Sequence, residues 1–535
     1  MRFILKMLSN ETFATNIFKF GLKKSFKTHK SYEYQEVVEA LNTLQTNATV
    51  LQNLRKTVGI DVIQKQNIQD TVKYLKRVGI TVEDVENNLS VIHVSGTKGK
   101  GSTCAYCESI LRSHGYKTGF FSSPHLIAVR ERIRINGQPI SESDFIKYFW
   151  NVYNKLLAKQ ENKNDMPPYF KFLTVMALKI FMAEKVDVAI IEVGIGGEYD
   201  CTNILNKVPV VGITSLGLDH TFLLGNTVDK IAWQKGGIIK NGSFAFTSAE
   251  QPVAALKVLQ QRAKEKNCEL FVAPCLEEYN WRGREINLGL QGDVQKLNAS
   301  LALQMTNAWM LTKSMKENKN AMKEEIRRAS KGFTVNNASY YGLKECKWPG
   351  RNQIIERISS KYPHTYFLDG AHTVESIQQC VEWFVRTSES KSLNCHRTLV
   401  FNATGDREDS FLMKPLLCCN FQSVLFCPNI STVNMGSSDQ INYSVNLEQV
   451  INRCKNNVKL WKKVEENEGK YRASHVAMYP TTLDALIYTE SIQSAQHILV
   501  TGSIHLIGAA LSILDPDLIS SFDNKLKTKG PKRIS

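Results

Sequence analysis

The stretch VIHVSGTKGKGST, from Val91 to Thr103, predicts a strand, a glycine-rich loop and a helix in direct succession. Residues 91–95 are mostly apolar and β-branched, which favours a buried strand. Glycines at positions 96, 99 and 101 let backbone N–H groups wrap phosphate oxygens, and a helix beginning near Ser102 adds partial positive charge. Lys100 stands where the lysine of a phosphate-binding loop is expected. The segment therefore predicts an α/β fold with a phosphate site.

This loop departs from the strict Walker A pattern. Counting back from Lys100, the first Walker glycine would fall at Val94, and Gly101 intrudes before Ser102. The hydroxyl of Ser102, or that of the next residue, could still reach Mg²⁺. A flexible turn is the alternative interpretation, but such a turn would not require both Lys98 and Lys100.

Apolar runs of strand length alternate with helical patterns along the chain, which indicates βαβ units and mainly parallel sheets. The predicted strands are Val91–Ser95, 186–193, 208–214 and 243–247 in a first set and 365–368, 398–402, 423–427 and 497–500 in a second, with helices at 102–113 and 172–184. A lysine-rich stretch at 313–331 and a turn at 347–350 separate the sets. We therefore expect two α/β domains, residues 35–344 and 345–522. Residues 454–472, charged and mostly polar, are interpreted as a solvated insertion.

Composition sets broad limits on the partner. The chain has 535 residues, 43% of them hydrophobic, and its 31 glycines and 14 prolines are too few for a fibrous or mainly disordered protein. The formal net charge of +16 suits nucleic acid, a membrane surface or polyanionic small molecules. Twelve cysteines without regular spacing indicate free thiols in a reducing compartment. No apolar run approaches the roughly 18 residues needed to span a bilayer.

The first thirty residues stand apart, since they carry seven lysines and arginines against one acid, Glu11. An amphipathic, acid-poor segment of this kind is typical of a mitochondrial transit peptide, and we interpret residues 1–34 as a targeting leader. A disordered basic leader is the alternative. Whether a second start at Met7 or further downstream yields a cytosolic form stays open at this point. Residues 523–535 are predicted to form a basic tail.

Further candidate site residues mostly follow apolar runs of strand length, since open α/β sheets bind their ligands at strand ends; Arg351 instead lies in the predicted linker. They are Ser123, Glu192, His220 and Lys235 in the first set of elements, and Arg351, Asp369 and His372 in the second. A carboxylate such as Glu192 at a buried strand end requires a cation or hydrogen-bond donors. Bland alternatives stay open: Glu192 could cap a turn, His220 could be a packed core histidine, and Asp369 could be a helix N-cap.

The order of these motifs resembles the folylpolyglutamate synthase family of the Mur ligase superfamily, over residues 35–520. The motifs are GTKGKGS at 96–102, SSPHL at 122–126, RERIRING at 130–137, EVGIGG at 192–197, LDH at 218–220, QKGG at 234–237, QKLNA at 295–299, WPGR at 348–351 and DGAH at 369–372. The resemblance implies a P-loop-type ATPase domain with a mainly parallel sheet and a smaller Rossmann-like C-terminal domain. It also implies catalysis in the cleft between them.

The resemblance also implies roles for single residues. Gly99, Lys100, Gly101 and Ser102 would hold the ATP phosphates, Arg351 and Asp369 would contact the nucleotide, and Ser123, Glu192 and His220 would bind Mg²⁺. Lys235 matches a lysine that some family members carry carbamylated. His372 matches a position near the transferred phosphoryl group or the incoming amino acid, and a monovalent cation such as K⁺ is a further implied cofactor.

The implied reaction is ATP-dependent addition of glutamate to the γ-carboxylate of a folate through an acyl phosphate. The expected partners are folate, folylpolyglutamates, L-glutamate and ATP, with no nucleic acid and at most peripheral membrane association. A monomer is expected, in the mitochondrial matrix or at the inner membrane and in the cytoplasm. The alternatives are a dihydrofolate synthase of the same superfamily and a P-loop nucleotide switch without ligase activity.

Overall fold

The computed structural model describes residues 29–45, 60–162, 165–359, 362–391, 394–403, 409–432, 439, 447–469 and 472–518. Most of the predicted leader and all of the predicted basic tail lie outside these residues. The chain forms two compact units. The larger unit comprises Glu36–His125 and Arg130–Trp348, and the smaller unit comprises Pro349–Asp523 together with the short segment Leu126–Val129.

The elements up to residue 348 alternate as the sequence predicts. They are α1 (His29–Asn42), α2 (Ile60–Arg77), α3 (Val82–Asn88), β1 (Val91–Ser95), α4 (Lys100–Ser113), β2 (Thr118–Phe121), β3 (Ile133–Ile135), β4 (Gln138–Pro139), α5 (Glu142–Ala158), α6 (Tyr169–Ala183), β5 (Val188–Glu192), β6 (Val210–Ile213), α7 (Thr221–Leu224), α8 (Val228–Gly236), β7 (Phe244–Thr247), α9 (Val253–Glu265), β8 (Glu269–Val272), α10 (Val294–Ser314), α11 (Lys319–Ala329) and α12 (Asn337–Lys344).

The larger unit is built on an eight-stranded sheet with the order β4-β3-β2-β5-β1-β6-β7-β8. The strands from β2 to β8 in this order run parallel, and only β3 and β4 are added antiparallel. β1 lies in the interior between β5 and β6, and all five of its residues are buried. Parallel strands buried on both faces read as continuous apolar runs, which explains why this strand was predictable. The loops that follow β1, β5 and β6 therefore meet at one edge of the sheet.

The smaller unit has a six-stranded sheet with the order β13-β12-β11-β14-β10-β9. Its elements are β9 (Gln353–Ser359), β10 (Tyr362–Leu368), α13 (Val374–Lys391), β11 (His396–Phe401), α14 (Asp409–Met413), β12 (Ser423–Phe426), α15 (Leu447–Glu468), β13 (His475–Met478), α16 (Thr482–Ser491), β14 (Gln496–Thr501) and α17 (Ile504–Leu514). Only the pairing of β9 with β10 is antiparallel. Both sheets are mainly parallel, as the sequence predicts.

The segment Leu126–Val129 contributes to the core of the smaller unit. Ile127 is 3% exposed and belongs to a buried cluster with residues of β10, β14 and α17. A Cβ atom placed on Gly508 of α17 would overlap the carbonyl oxygen of Leu126. The absence of a side chain at Gly508 therefore lets the backbone of this segment pack directly on the helix.

Helix α15 corrects the interpretation of residues 454–472 as a solvated insertion. Cys454 and Trp461 are buried, and they pack with Val464 in the core cluster of the smaller unit. These residues recur about every one or two turns, so they form a narrow apolar stripe on an otherwise charged helix. The lysines and asparagines between them concealed that stripe in the sequence. In the part of the chain that the structure describes, no helix is both long and apolar enough to cross a membrane.

A buried ion-pair cluster joins α2 to the loop before α6. Arg77 Nη2 lies 2.6 Å from Asp165 Oδ2, and each side chain is only 7% exposed. Lys73 Nζ lies 2.9 Å from Asp165 Oδ1, while Glu161, which also contacts Arg77, is 69% exposed. Hydrogen bonds from Arg77 and then from Lys73 hold the pKa of Asp165 well below its usual range, although desolvation opposes them.

We predict that Asp165→Asn lowers the free energy of unfolding of the larger unit by about 3 kcal/mol at pH 7, because it leaves Arg77 without its buried counter-ion. Since the folded-state pKa of Asp165 is depressed, its contribution is present above the unfolded pKa of about 3.9 and is lost as the pH falls below it. Urea unfolding should therefore show a smaller difference in the free energy of unfolding between wild type and variant at pH 3 than at pH 7. Glu161→Gln is the control, with an expected change of at most about 1 kcal/mol; equal effects of the two substitutions would contradict the prediction.

Candidate nucleotide and metal site

The loop between β1 and α4 is positioned by the strand beside it. The backbone N–H groups of Thr97 and Lys98 both donate to the carbonyl oxygen of Ser215, at 3.0 and 3.1 Å, so the loop is fixed to the chain that leaves β6. Helix α4 begins at Lys100 with Gly99 as its N-cap, and Gly99 supplies no capping side chain. The first-turn amides of a helix have no acceptor within that helix. This helix terminus is therefore suited to bind an anion such as a phosphate.

Two glycines of the loop are required by close packing. Gly96 has φ +148°, and a Cβ there would overlap Thr214 Oγ1, which follows β6. Gly99 has φ +87°, and a Cβ there would overlap the Asn298 amide oxygen of α10. Both positions combine a left-handed backbone with contact from a neighbouring element, so glycine satisfies two requirements at once.

Lys100 and Lys235 converge on one backbone atom. Lys100 Nζ donates to the carbonyl oxygen of Gly96 at 3.1 Å, and Lys235 Nζ donates to the same oxygen at 2.7 Å. The carbonyl of Lys235 in turn accepts the Ser95 hydroxyl at 2.8 Å. Lys235 is 2% exposed; burial, reinforced by the nearby Lys100, lowers its pKa well below the ordinary value. These contacts bring two predicted site residues to the start of the phosphate loop, one of them with an amine whose charged form is disfavoured.

Lys98 connects the loop to the segment that carries His220. Its Nζ lies 3.2 Å from Asp219 Oδ2, and the carboxylate of Asp219 is 7% exposed. The other carboxylate oxygen, Oδ1, accepts the backbone N–H of His220 at 3.0 Å. His220 has φ +49°, a left-handed conformation that is uncommon for a residue with a side chain. The ion pair therefore contributes to fixing the unusual backbone at His220, a contact that the sequence did not reveal.

Ser123 and Glu192 are adjacent in space. The backbone N–H of Ser123 donates to Glu192 Oε2 at 3.0 Å, and Glu192 is 4% exposed at the carboxyl end of β5. A carboxylate and a hydroxyl are oxygen donors of the kind that Mg²⁺ prefers, so these two residues fit that ion. Within the described residues, no three His, Cys, Asp or Glu side chains are arranged to hold a metal. Mg²⁺ commonly takes only one or two protein ligands beside water and phosphate, so Glu192 with Ser123 meets its requirement.

A basic segment after Ser123 is held by aromatic and carbonyl groups. Arg132 Nε donates to His125 Nδ1 at 2.9 Å, and its guanidinium lies 5.4 Å from the ring centroid of Tyr169. Arg134 lies 5.0 Å from the ring of Trp348. Burial lowers the pKa of both arginines. The motif at 130–137 therefore supplies side chains that support the fold of the larger unit, which its sequence pattern alone did not show.

The three predicted residues of the smaller unit lie close together. Asp369 follows β10, where its Oδ2 accepts the backbone N–H of Asn352 and its Oδ1 that of Ala371, both at 2.9 Å. Arg351 packs on Gly370, whose added Cβ would lie 2.6 Å from Nη1 of the arginine. His372 Nδ1 lies 2.7 Å from the carbonyl oxygen of Gly370. A carbonyl only accepts, so Nδ1 carries a proton in this contact.

Comparison with known proteins identifies the relatives of this chain. It is 42% identical over 554 residues to the mitochondrial folylpolyglutamate synthase of Homo sapiens, across 91% of this chain and 93% of that protein. The chain belongs to the folylpolyglutamate synthase family. The Neurospora crassa folylpolyglutamate synthase is 36% identical across 90% of this chain and 91% of its own length. No protein-family model matches the chain.

Solved structures of the folylpolyglutamate synthase family confirm the fold. The Mycobacterium tuberculosis folylpolyglutamate synthase complexed with ADP superposes with a TM-score of 0.66 at 21% identity, covering 91% of this chain and 99% of that one. E. coli FolC in complex with DHPP and ADP gives 0.59 at 24% identity, covering 84% and 92%. The predicted α/β class with two sheets and the resemblance to a Mur-type ligase are both confirmed. As a member of this family, the chain is a ligase.

The sequence placed the site residues at strand ends, and the structure shows which of them touch. Lys100 with Lys235 and Ser123 with Glu192 form pairs in the larger unit, and Arg351, Asp369 and His372 form a group in the smaller unit. The sequence analysis missed two supporting residues, Asp219 as the partner of Lys98 and Asn298 beside Gly99. Asn298 lies in the motif QKLNA at 295–299, so the sequence marked this residue as part of a family motif but did not indicate its contact with Gly99.

Proposed function

We propose that this chain joins L-glutamate to the γ-carboxylate of tetrahydrofolate and its polyglutamates, using ATP. The 42% identity to a folylpolyglutamate synthase over 91% of the chain supports this activity most strongly. Two further observations support it: a helix N-terminus and two lysines lie beside the loop after β1, and relatives of the same fold have been solved with ADP. In the proposed reaction, ATP phosphorylates the substrate carboxylate, and the amine of glutamate attacks the resulting acyl phosphate and expels phosphate.

The larger unit would bind the triphosphate. The amides at the start of α4, from Gly99 through Lys100, Gly101 and Ser102, would donate to phosphate oxygens, and Lys100 would move from Gly96 to the transferring phosphoryl group. Glu192 and Ser123 would hold Mg²⁺, which neutralises charge on the phosphates when bound, and we assign His220 to this ion as well. A monovalent cation such as K⁺ is proposed on family resemblance alone.

Lys235 is proposed as the second catalytic lysine. An amine reacts with CO₂ only when neutral, and burial favours the neutral form of Lys235. A carbamate there would add a carboxylate beside Lys100 and the loop. In the smaller unit, Arg351 and Asp369 would contact the nucleotide, and His372 would lie near the transferred phosphoryl group or the incoming amino acid.

The charge balance agrees with polyanionic substrates. Of the net charge of +16, the first thirty residues carry six units, so ten remain. Polyglutamates and ATP are sufficient to account for a basic excess of this size, without nucleic acid.

Three mammalian relatives are named as mitochondrial proteins. We propose mitochondrial and cytoplasmic forms of this chain, each a monomer with at most peripheral membrane contact. We also propose the domain limits 1–34, 35–344, 345–522 and 523–535.

The test offers the purified chain, with Mg·ATP and glutamate, either tetrahydrofolate or dihydropteroate. We expect glutamate-dependent ADP release with tetrahydrofolate and longer glutamyl chains by mass spectrometry. Turnover with dihydropteroate alone would instead identify a dihydrofolate synthase. ADP binding without any glutamate-stimulated turnover would favour a nucleotide switch and reject the ligase proposal.

A further inference from the structure

A series of buried, hydrogen-bonded side chains connects the middle of β1 to the loop that follows β5. His93 is 2% exposed and lies opposite Ile191 of β5 and Val211 of β6. Its Nε2 lies 2.9 Å from Thr202 Oγ1, and that oxygen lies 2.6 Å from Asp200 Oδ1. Thr202 and Asp200 are 3% and 7% exposed. These polar groups are therefore withdrawn from solvent and depend on one another for hydrogen bonds.

The direction of these hydrogen bonds follows from the donors available. Asp200 Oδ1 accepts the backbone N–H of Thr202 at 2.9 Å, and its Oδ2 accepts that of Ile195 at 3.1 Å. Burial raises the pKa of this carboxyl, and the hydrogen bonds that it accepts oppose that shift. The single hydroxyl proton of Thr202 is then donated to Asp200, so Thr202 Oγ1 accepts from His93. His93 must carry its proton on Nε2. Burial, with a smaller contribution from Lys240, lowers the pKa of His93 to about 3, which keeps the ring neutral.

Asp200 controls the backbone directly after Glu192. Its Oδ2 accepts the backbone N–H of Ile195, the third residue beyond Glu192, at 3.1 Å. The backbone N–H of Val193 is already fixed to Val94 of β1, at 2.9 Å. The end of β5 is thus held on one side by the central strand and on the other by Asp200. The carboxylate of Glu192 meets Ser123 at this end.

We propose that His93 and Thr202 are positioning residues for the metal-binding carboxylate of Glu192. They hold Asp200 in the orientation in which it fixes Ile195, and so set the direction in which Glu192 leaves the sheet. The inference rests on the proposed function only for the role of Glu192. The hydrogen bonds that link His93 through Thr202 to Asp200 do not depend on which substrate the protein uses.

The test compares Thr202→Val, which keeps the side-chain shape and removes the hydroxyl, with Thr202→Ser, which restores it. In substrate-free protein, we expect Thr202→Val to accelerate hydrogen–deuterium exchange of the peptide 193–198 by about tenfold, as expected for loss of a buried hydrogen bond. The Mg²⁺ concentration that half-saturates ADP binding should rise by about tenfold. Thr202→Ser should remain within about twofold of wild type in both measurements.

A matched control is Thr306→Val, because Thr306 is also buried and its hydroxyl bonds the carbonyl oxygens of Ala302 and Leu303 within its own helix α10. It should leave both measurements unchanged. If Thr202→Val fails to fold, His93→Gln, which keeps a donor, is compared with His93→Leu, which removes it. Equal behaviour of Thr202→Val and Thr306→Val, or of the two His93 variants, would overturn the proposal. The hydrogen–deuterium exchange measurement needs neither folate nor glutamate. Absence of ligase activity would therefore reject the proposed function, while the exchange measurement would still test this inference.

Discussion

Replacing Lys100 by alanine is expected to lower glutamate-dependent ADP release by about 10³-fold or more, the scale seen when a group that stabilises transferring charge is removed. The fold should survive, because Lys235 still bonds the Gly96 carbonyl and the loop remains attached to Ser215. The measurement is steady-state ADP release with tetrahydrofolate, glutamate and saturating Mg·ATP, with thermal unfolding recorded in parallel.

Lys257→Ala is a matched control for Lys100, since Lys257 is an exposed lysine of α9 in the same unit. It should retain turnover within about twofold, because an exposed side chain remote from the predicted site contributes little to either folding or chemistry. Turnover of the Lys100 variant within tenfold of wild type would refute the phosphate role assigned to this lysine.

Gly96→Ala is expected to weaken ADP binding by about 100-fold or more. The substitution places a Cβ on a residue with φ +148°, and that atom overlaps Thr214 Oγ1 while lying 2.9 Å from Thr214 Cβ and 3.0 Å from its backbone nitrogen. A flexible side chain could move aside, but the backbone after β6 cannot move without shifting Ser215, which holds Thr97 and Lys98. The loop itself must therefore change, which disturbs every phosphate donor on it. ADP binding by calorimetry measures the effect.

Gly79→Ala is a control that distinguishes the effect of backbone strain from the effect of the clash with Thr214. Gly79 has φ +84°, yet an added Cβ would meet no atom within 4 Å. This control should lower stability by about 1 kcal/mol and leave ADP affinity unchanged. If Gly96→Ala and Gly79→Ala change the ADP affinity equally, the contact with Thr214 is unimportant for ADP binding.

Much of this fold could be predicted because its signals are local. β1 has the limits expected from its apolar run, and α4 begins within two residues of its predicted start. Shorter strands gave weaker signals: β2 has only four residues and is not among the predicted strands. The stripe of α15 was hidden because few of its residues are apolar.

The contacts that build the site are of another kind. The bond from Lys235 to the Gly96 carbonyl joins residues far apart in the chain, as does the contact between Ser123 and Glu192. Sequence order could place each residue near a strand end, but strand order and register decide which of them meet. The hydrogen bond between His93 and Thr202 had no signal in the sequence, since a lone histidine within an apolar strand is compatible with many partners.

The segment Leu126–Val129 has a consequence for how the polypeptide is made. The ribosome releases this part of the smaller unit early, then synthesises the remainder of the larger unit before Pro349 emerges. During that interval Ile127 has no core to enter, and α17, on which Leu126 packs, is among the last elements to appear. A fragment beginning at Pro349 would lack Ile127 and leave the backbone groove at Gly508 unfilled. The native packing of the smaller unit therefore depends on a segment that is synthesised long before Pro349, within the sequence of the larger unit.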